Sequence, residues 1–171
     1  SLGNLTTTGT LLYTGAGETT DRAFDLAGTT GGGTILSSGT GALIFNGAFS
    51  SSGAGAKTLT VGGTYTDSSN RINSVISDNA PANPTSLVKA ADASSWILRG
   101  VNTYTGTTTV NGGLLQVGIG GVGRTGTGAT TINSGGTLAG SGLINGTASL
   151  TNHIINSGAI LSPGDAGGAS N

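Results

Sequence analysis

The sequence predicts an all-β fold: a right-handed parallel β-helix (β-solenoid) with about 22–23 residues per coil and three short strands in each. Three observations predict it. The second half of the chain repeats at a near-constant interval. Apolar residues make up 35% of the chain and come in short, β-branched bursts rather than helical stripes. Between the bursts fall most of the 34 glycines, together with asparagine and serine, the residues that tolerate corners with positive φ.

From the N-terminus, strands are predicted around Thr34–Ser38, Ala42–Gly47, Lys57–Gly63 and Arg71–Ser77, separated by Gly/Ser turns of uneven length. Residues 1–79 therefore read as irregular coils of the same solenoid that spans 1–171. Residues 80–85 carry two prolines, which cannot donate to a stacked central strand, so this stretch is a loop bulging from one coil. Trp96 is expected to pack against the solenoid near that loop.

Residues 86–171 carry the regular coils. VNGGLL at Val110–Leu115, INSGGTL at Ile132–Leu138 and INSGAIL at Ile155–Leu161 align. Val110, Ile132 and Ile155 are spaced 22 and 23 positions apart, and Leu115, Leu138 and Leu161 are spaced 23 and 23. Each unit is a strand ending in Val-Asn or Ile-Asn, a glycine corner, and a strand ending in Leu. A helix-free repeat this short is solved by coils stacking on one another about 4.8 Å apart, with equivalent residues directly above each other. Val110, Ile132, Ile155, Leu115, Leu138 and Leu161 are then the expected core stack. Asn111, Asn133 and Asn156 are the expected structural ladder, their side-chain amides bonding along the axis. The right hand follows from the general preference of parallel crossovers.

Beyond residue 86 the chain also resembles a known family. WILRGVNTYTG at Trp96–Gly106 runs into TTTVNGGLLQV at Thr107–Val117, with GTLAGSG at Gly136–Gly142 and LSPG at Leu161–Gly164. These stretches resemble the autotransporter-associated β-strand repeat, or passenger-associated transport repeat, and NTYTG at Asn102–Gly106 is the most specific part. Residues 11–79 resemble the irregular coils that precede that repeat in very large surface proteins of Gram-negative bacteria. The resemblance implies a parallel β-helix, export across the outer membrane, and an extracellular or cell-surface location on a Gram-negative-type bacterium. No stretch within these residues reads as the β-barrel translocator that the family picture leads one to expect. With no Met and a Ser at position 1, the chain reads as a processed or excised segment.

Composition excludes several classes. Only 8% of residues are charged and the net charge is −1, so the basic footprint of a nucleic-acid binder is missing. No apolar run is long enough for a membrane-spanning helix. The absence of Cys excludes disulfides and thiol catalysis.

Two motifs look like nucleotide sites. Gly118–Gly123 reads GIGGVG, which satisfies G-x-G-x-x-G, but the dinucleotide turn needs a helix opening at its last glycine and an acid about 20 residues on. RTGTGATT follows instead, and no Asp or Glu lies between Asp92 and Asp165. The reading is a glycine-rich turn between strands. At Lys57, Ala56 stands where a phosphate-binding loop needs glycine, and a strand follows.

Catalytic chemistry has little to work with. Glu18, Asp21 and Asp25 form the only dense acidic stretch and read as a solvated turn; Asp67, Asp78, Asp92 and Asp165 are scattered. His153 has no neighbour from which a triad or metal site could be built. No enzyme activity, cofactor or metal is expected. Thr-x-Thr pairs at Thr58/Thr60, Thr64/Thr66, Thr103/Thr105 and Thr107/Thr109 recur at uneven intervals, which argues against an ice-binding array.

Two functional readings remain. The first is a structural surface module, an autotransporter-like passenger or adhesin stalk. The second is a subunit of an extracellular filament or sheath, joined through open β-helix ends or strand edges. Expected partners are neighbouring repeats or other copies of the chain, and a host or neighbouring-cell surface. An adhesin tip would need exposed aromatics, and of the seven in the chain Phe45, Phe49 and Trp96 read equally well as core.

Overall fold

The computed structural model describes residues 1–79, 82–144 and 153–165. The first coil holds β1 (Gly9–Tyr13), β2 (Ala16–Thr20) and β3 (Phe24–Asp25). The second holds β4 (Gly33–Ser37), β5 (Gly41–Phe45) and β6 (Phe49–Ser50). Among the described residues the later coils carry two strands each: β7 (Lys57–Gly63) with β8 (Asn70–Ile72), and β9 (Thr85–Lys89) with β10 (Ser95–Leu98). Then come β11 (Thr108–Val110) with β12 (Gly113–Val117), and β13 (Thr130–Ile132) with β14 (Gly136–Gly140). The final pair is β15 (His153–Ile155) and β16 (Ile160–Pro163).

The first strand of every coil joins one parallel sheet and the second strand joins another. One is a 7-stranded sheet in the order β1-β4-β7-β9-β11-β13-β15, and the other runs β2-β5-β8-β10-β12-β14-β16. The chain is thus an all-β parallel solenoid of about 6 turns, with ~24 residues per turn. Strand pairing is in register throughout: Val110 stands on Ile132 and Ile155, and Leu115 stands on Leu138 and Leu161.

The third side is different. Among the described residues it is strand only in β3 and β6, which pair with each other. Further along it is reduced to single bridges, Val101 with Arg124 and Arg124 with Leu143. Among the described residues the third strand of the later coils is replaced by a bend, tied to its neighbours by scattered main-chain bonds such as Thr103 to Ile76 and Leu143 to Gly123 and by side chains such as Asn102.

Strand alternation puts aliphatic residues inside and polar ones outside, which is why β4, β5 and β9 each alternate buried and half-buried positions. One interior column runs Ile35, Val61, Lys89, Val110, Ile132. Another runs Asn70, Trp96, Leu115, Leu138, and a third runs Phe45, Ile72, Leu98, Val117. Trp96 is fully buried in its column and donates its indole N–H to the Gly62 carbonyl at 3.1 Å. It fills the solenoid from within rather than packing on the outside near the proline loop, because β10 pairs on both edges and points it inward. Phe24 closes the first coils, its ring 5.1 Å from Phe45 and 5.0 Å from Phe49.

The loop predicted at 80–85 lies partly outside the described residues. Pro84 is described; its carbonyl accepts from the Lys57 amide at 3.0 Å, and the β7–β9 ladder continues without a break on either side.

Candidate functional site: the repeat corner and the solenoid ends

The motif Asn102–Gly106 forms a corner whose three key positions each meet a physical demand. Asn102 is fully buried where a strand is missing. Its Oδ1 accepts from the Ile76 amide of the coil before, at 2.8 Å, and its Nδ2 donates to the Arg124 carbonyl of the coil after, at 2.6 Å. One side chain thereby satisfies the buried Ile76 amide on one neighbour and the half-buried Arg124 carbonyl on the other. Tyr104 is fully buried, shares a 2.7 Å hydrogen bond with the Thr108 hydroxyl, and has its phenol pushed up from its ordinary value by burial. Gly106 passes so close to the preceding coil that a Cβ there would sit 2.3 Å from the Thr85 carbonyl oxygen.

Asn111, Asn133 and Asn156 stand at the end of successive strands in the first sheet. Asn133 Nδ2 donates to Asn111 Oδ1 at 2.7 Å, and Asn156 Nδ2 donates to Asn133 Oδ1 at 2.6 Å. A second asparagine pair lies at the far end of the other sheet, where Asn73 Nδ2 donates to Asn46 Oδ1 at 2.6 Å. Sequence reasoning missed it, although FNG at 45–47 and INS at 72–74 repeat the pattern of VNG and INS in the later coils.

Val110, Ile132, Leu115 and Leu138 are all buried. Ile155 and Leu161 hold the same register but are 51% and 42% exposed. The reason is position: no described coil lies on their outer side. With Ile154 they line an apolar concavity at that end of the solenoid. At the opposite end Leu11 and Leu12 are exposed beside a second apolar concavity lined by Leu43 and Phe24. Among the described residues, the outermost strands at both ends therefore lack a partner on one edge and leave core side chains uncovered.

Lys89 is a surprise in the interior column. Its Nζ is fully buried and donates to Asp92 Oδ1 at 2.7 Å, to the Ala90 carbonyl at 3.0 Å and to the Asp92 carbonyl at 3.1 Å, using all three protons. Asp92 also accepts from Ser94 and, at 2.9 Å, from the Gly63 amide of the previous coil. Burial lowers the lysine's pKa against the opposing pull of Asp92. Burial raises that of Asp92, but its hydrogen bonds from Lys89, Ser94 and Gly63 outweigh this and leave it below the usual carboxylate value. Aligning LVKA with TTVN would have placed a lysine on the Val110 column, so a signal existed.

GIGGVG is a β-hairpin. Ile119 and Val122 exchange backbone hydrogen bonds at 3.1 Å and 3.3 Å around Gly120 (φ 62°) and Gly121 (φ 80°). Two consecutive positive φ values make the two-residue loop that glycine pairs favour. No helix follows, and the Gly120 amide is taken by the carboxylate of Asp165. Lys57 is likewise occupied, donating to the Gly53 and Gly55 carbonyls.

The threonines show something that their spacing hid. Thr10, Thr34 and Thr60 stand in one outward column, which Val88 interrupts before Thr109 and Thr131 resume it. Coil lengths vary, so a regular column in space is irregular in sequence. In the neighbouring column Thr58 stands on Ser86, so the threonine pairs do not form a continuous double rank.

Glu18, Asp21 and Asp25 do not converge: Asp25 is bound instead by Ser50 and Ser52. His153 sits half-buried in β15, in register with Thr130. Among the described residues no group of three or more His, Cys, Asp or Glu is placed to hold a metal ion, and no helix is long and apolar enough to cross a membrane.

Comparison with known proteins decides what this corner is. Residues 90–117 match the Passenger-associated-transport-repeat. The chain carries this repeat. The matched segment covers one coil with its Lys89-side corner, β10, Asn102–Gly106, β11 and β12. Over 115 residues, 66% of the chain, the protein is 41% identical to the adhesin BmaC autotransporter of Brucella suis biovar 1 (strain 1330). The match spans 3% of that protein's length. No solved structure matches the chain.

Proposed function

We propose that residues 1–171 are one solenoid segment of a cell-surface or extracellular passenger, with long coils over 1–79, a proline loop at 80–85 and repeat coils over 86–171. The segment is a stiff, non-catalytic stalk on a Gram-negative-type bacterium. The observation that carries this reading is the repeat corner itself. Asn102 ties together three coils, and Gly106 admits no side chain, so the residues of the transport repeat are spent on stacking. In this reading the core stack and the Asn111–Asn133–Asn156 ladder are structural devices. The relative named an adhesin supports a role in attachment to a host or neighbouring-cell surface, with the contact made by other parts of the polypeptide.

The test is surface display of the chain as one, two or three tandem copies between an outer-membrane anchor and an epitope. Each copy should lengthen the rod by roughly 30 Å, from ~4.8 Å per turn. Rods that do not lengthen, or hydrolase activity on a polysaccharide panel, would overturn the stalk reading.

A second reading is favoured by one observation: among the described residues the end strands are unpaired on one edge and expose aliphatic residues, Leu11 and Leu12 at one end, Ile154, Ile155 and Leu161 at the other. Head-to-tail association through them is heterologous and propagates as a filament. Fibres in native preparations, built of chains with the mass of this sequence, would select it.

A further inference from the structure

Two of the asparagines whose side chains bond coil to coil are followed by glycine. Asn46 precedes Gly47 and Asn111 precedes Gly112, whereas Asn73, Asn133 and Asn156 precede serine. Stacking imposes those glycines. A Cβ on Gly47 would collide with the Asp21 and Arg22 carbonyl oxygens, and one on Gly112 would press against Ala91 at 3.0 Å. A corner that needs bare backbone after its asparagine also leaves nothing to shield the asparagine side chain from the next amide nitrogen.

The surroundings leave the reacting groups free. Asn46 is exposed and Asn111 half-buried, so both side-chain amides are within reach of solvent. Among the described residues the Gly47 and Gly112 amides donate to no acceptor. Asn46 Oδ1 accepts from Asn73 Nδ2 at 2.6 Å, and Asn111 Oδ1 accepts from Asn133 Nδ2 at 2.7 Å. Each donor faces the oxygen on which negative charge would develop if the side-chain carbonyl were attacked.

We propose that Asn46 and Asn111 are self-modifying sites, each losing its side-chain amide as ammonia and becoming aspartate without releasing the neighbouring coil. The glycine nitrogen gives its proton to water, and its electron pair attacks the asparagine Cγ. The Cγ–Nδ2 bond breaks, Nδ2 takes up a proton and ammonia leaves, with a five-membered imide behind it. Water adds at Cγ, the bond from Cγ to the glycine nitrogen breaks, and that nitrogen recovers its proton. One water is consumed, one ammonia is released, and nothing is oxidised or reduced.

The product fits the stack because Asn46 and Asn111 only accept within their columns; among the described residues neither Nδ2 donates to a partner. A carboxylate takes the same Asn73 or Asn133 N–H more strongly than an amide does. Water adding at the main-chain carbonyl would give isoaspartate instead and lengthen the backbone at the corner. The Asn46 amide on the Thr20 carbonyl, at 2.8 Å, and the Asn111 amide on the Lys89 carbonyl, at 3.0 Å, hold the path that aspartate keeps. Each conversion adds one negative charge to a chain of net charge −1.

Peptide mapping by mass spectrometry tests this on the folded chain held at mildly alkaline pH, beside the same chain unfolded in urea. In the folded chain Asn46 and Asn111 should convert at least about tenfold faster than Asn73, Asn133 and Asn156, with aspartate the main product. Equal rates at these positions, conversion of Asn46 and Asn111 in urea alone, or isoaspartate as the main folded product would overturn the proposal. Asn46→Asp and Asn111→Asp should keep or raise the midpoint of urea unfolding, where Asn46→Ala and Asn111→Ala lower it. Aspartate variants as unstable as the alanine ones would equally contradict it. If a variant does not fold, the mapping of the unaltered chain decides alone.

Discussion

The long coils of residues 1–79 and the repeat coils that follow stack into the same two sheets, although the lengths between equivalent residues differ. Leu59 and Leu87 are paired across 28 positions, Leu87 and Thr108 across 21, and Thr108 and Thr130 across 22. The difference teaches where the information for stacking resides. Strand faces set the register, since a one-residue slip would turn every inward side chain outward. Corners and the third side absorb the surplus or deficit of chain. In the long coils the surplus is tied down by Asp25, Asn79 and Asp78; in the short ones Asn102, Tyr104 and Gly106 make a compact corner.

Trp96 spans this comparison, pairing backward with the long-coil residue Asn70 and forward with Leu115. Trp96→Ala should cost about 3–5 kcal/mol, the largest effect of any single change, read as the midpoint of urea unfolding. Asn102→Ala removes a partner from the buried Ile76 amide and the half-buried Arg124 carbonyl and should cost roughly 1–3 kcal/mol. Its signature is raised hydrogen exchange at Ile76, in the coil before the corner. Gly106→Ala forces a Cβ against the Thr85 carbonyl and should cost about 1–3 kcal/mol, visible as a lowered melting temperature. Smaller still, Asn133→Ala in the repeat coils and Asn46→Ala in the long coils should each cost about 1 kcal/mol. Equal costs would mean that the two asparagine columns are equivalent devices; a cost confined to Asn133 would mark the ladder as a feature of the repeat alone. Replacing the buried pair by Lys89→Met with Asp92→Asn should change stability by about 1 kcal/mol or less, because pairing barely offsets desolvation.

Much of the repeat half was legible because its interval is constant: Val110, Ile132, Leu115 and Leu138 could be assigned to one interior by counting. The long coils were not, because loops of unequal length erase the interval while leaving the sheets unchanged. That is also why the threonine column went unseen and why Asn46 and Asn73 were not joined, despite carrying the same strand-Asn-corner grammar. Three strands per coil were expected, but among the described residues the third is a strand only in β3 and β6; further along, Asn102, Asp78 and scattered main-chain bonds satisfy the backbone in place of a ladder. Lys89 was hidden by its charge, which reads as solvent-facing until Asp92 and two carbonyls are seen to take its protons. At Gly118–Gly123 the reasoning held: without a helix behind it, the glycine pattern is a turn.

The coil is the unit of stacking, and coil excision tests this most directly. Removing Thr108–Ala129 deletes the interval that separates Thr108 from its partner Thr130, and would place Thr130 directly over Leu87. The shortened chain should retain its β-sheet circular dichroism and a single cooperative melt, whereas removing only Thr108–Gly118 should abolish both. Equal loss of structure in the two deletions would contradict the claim that these coils stack as interchangeable units.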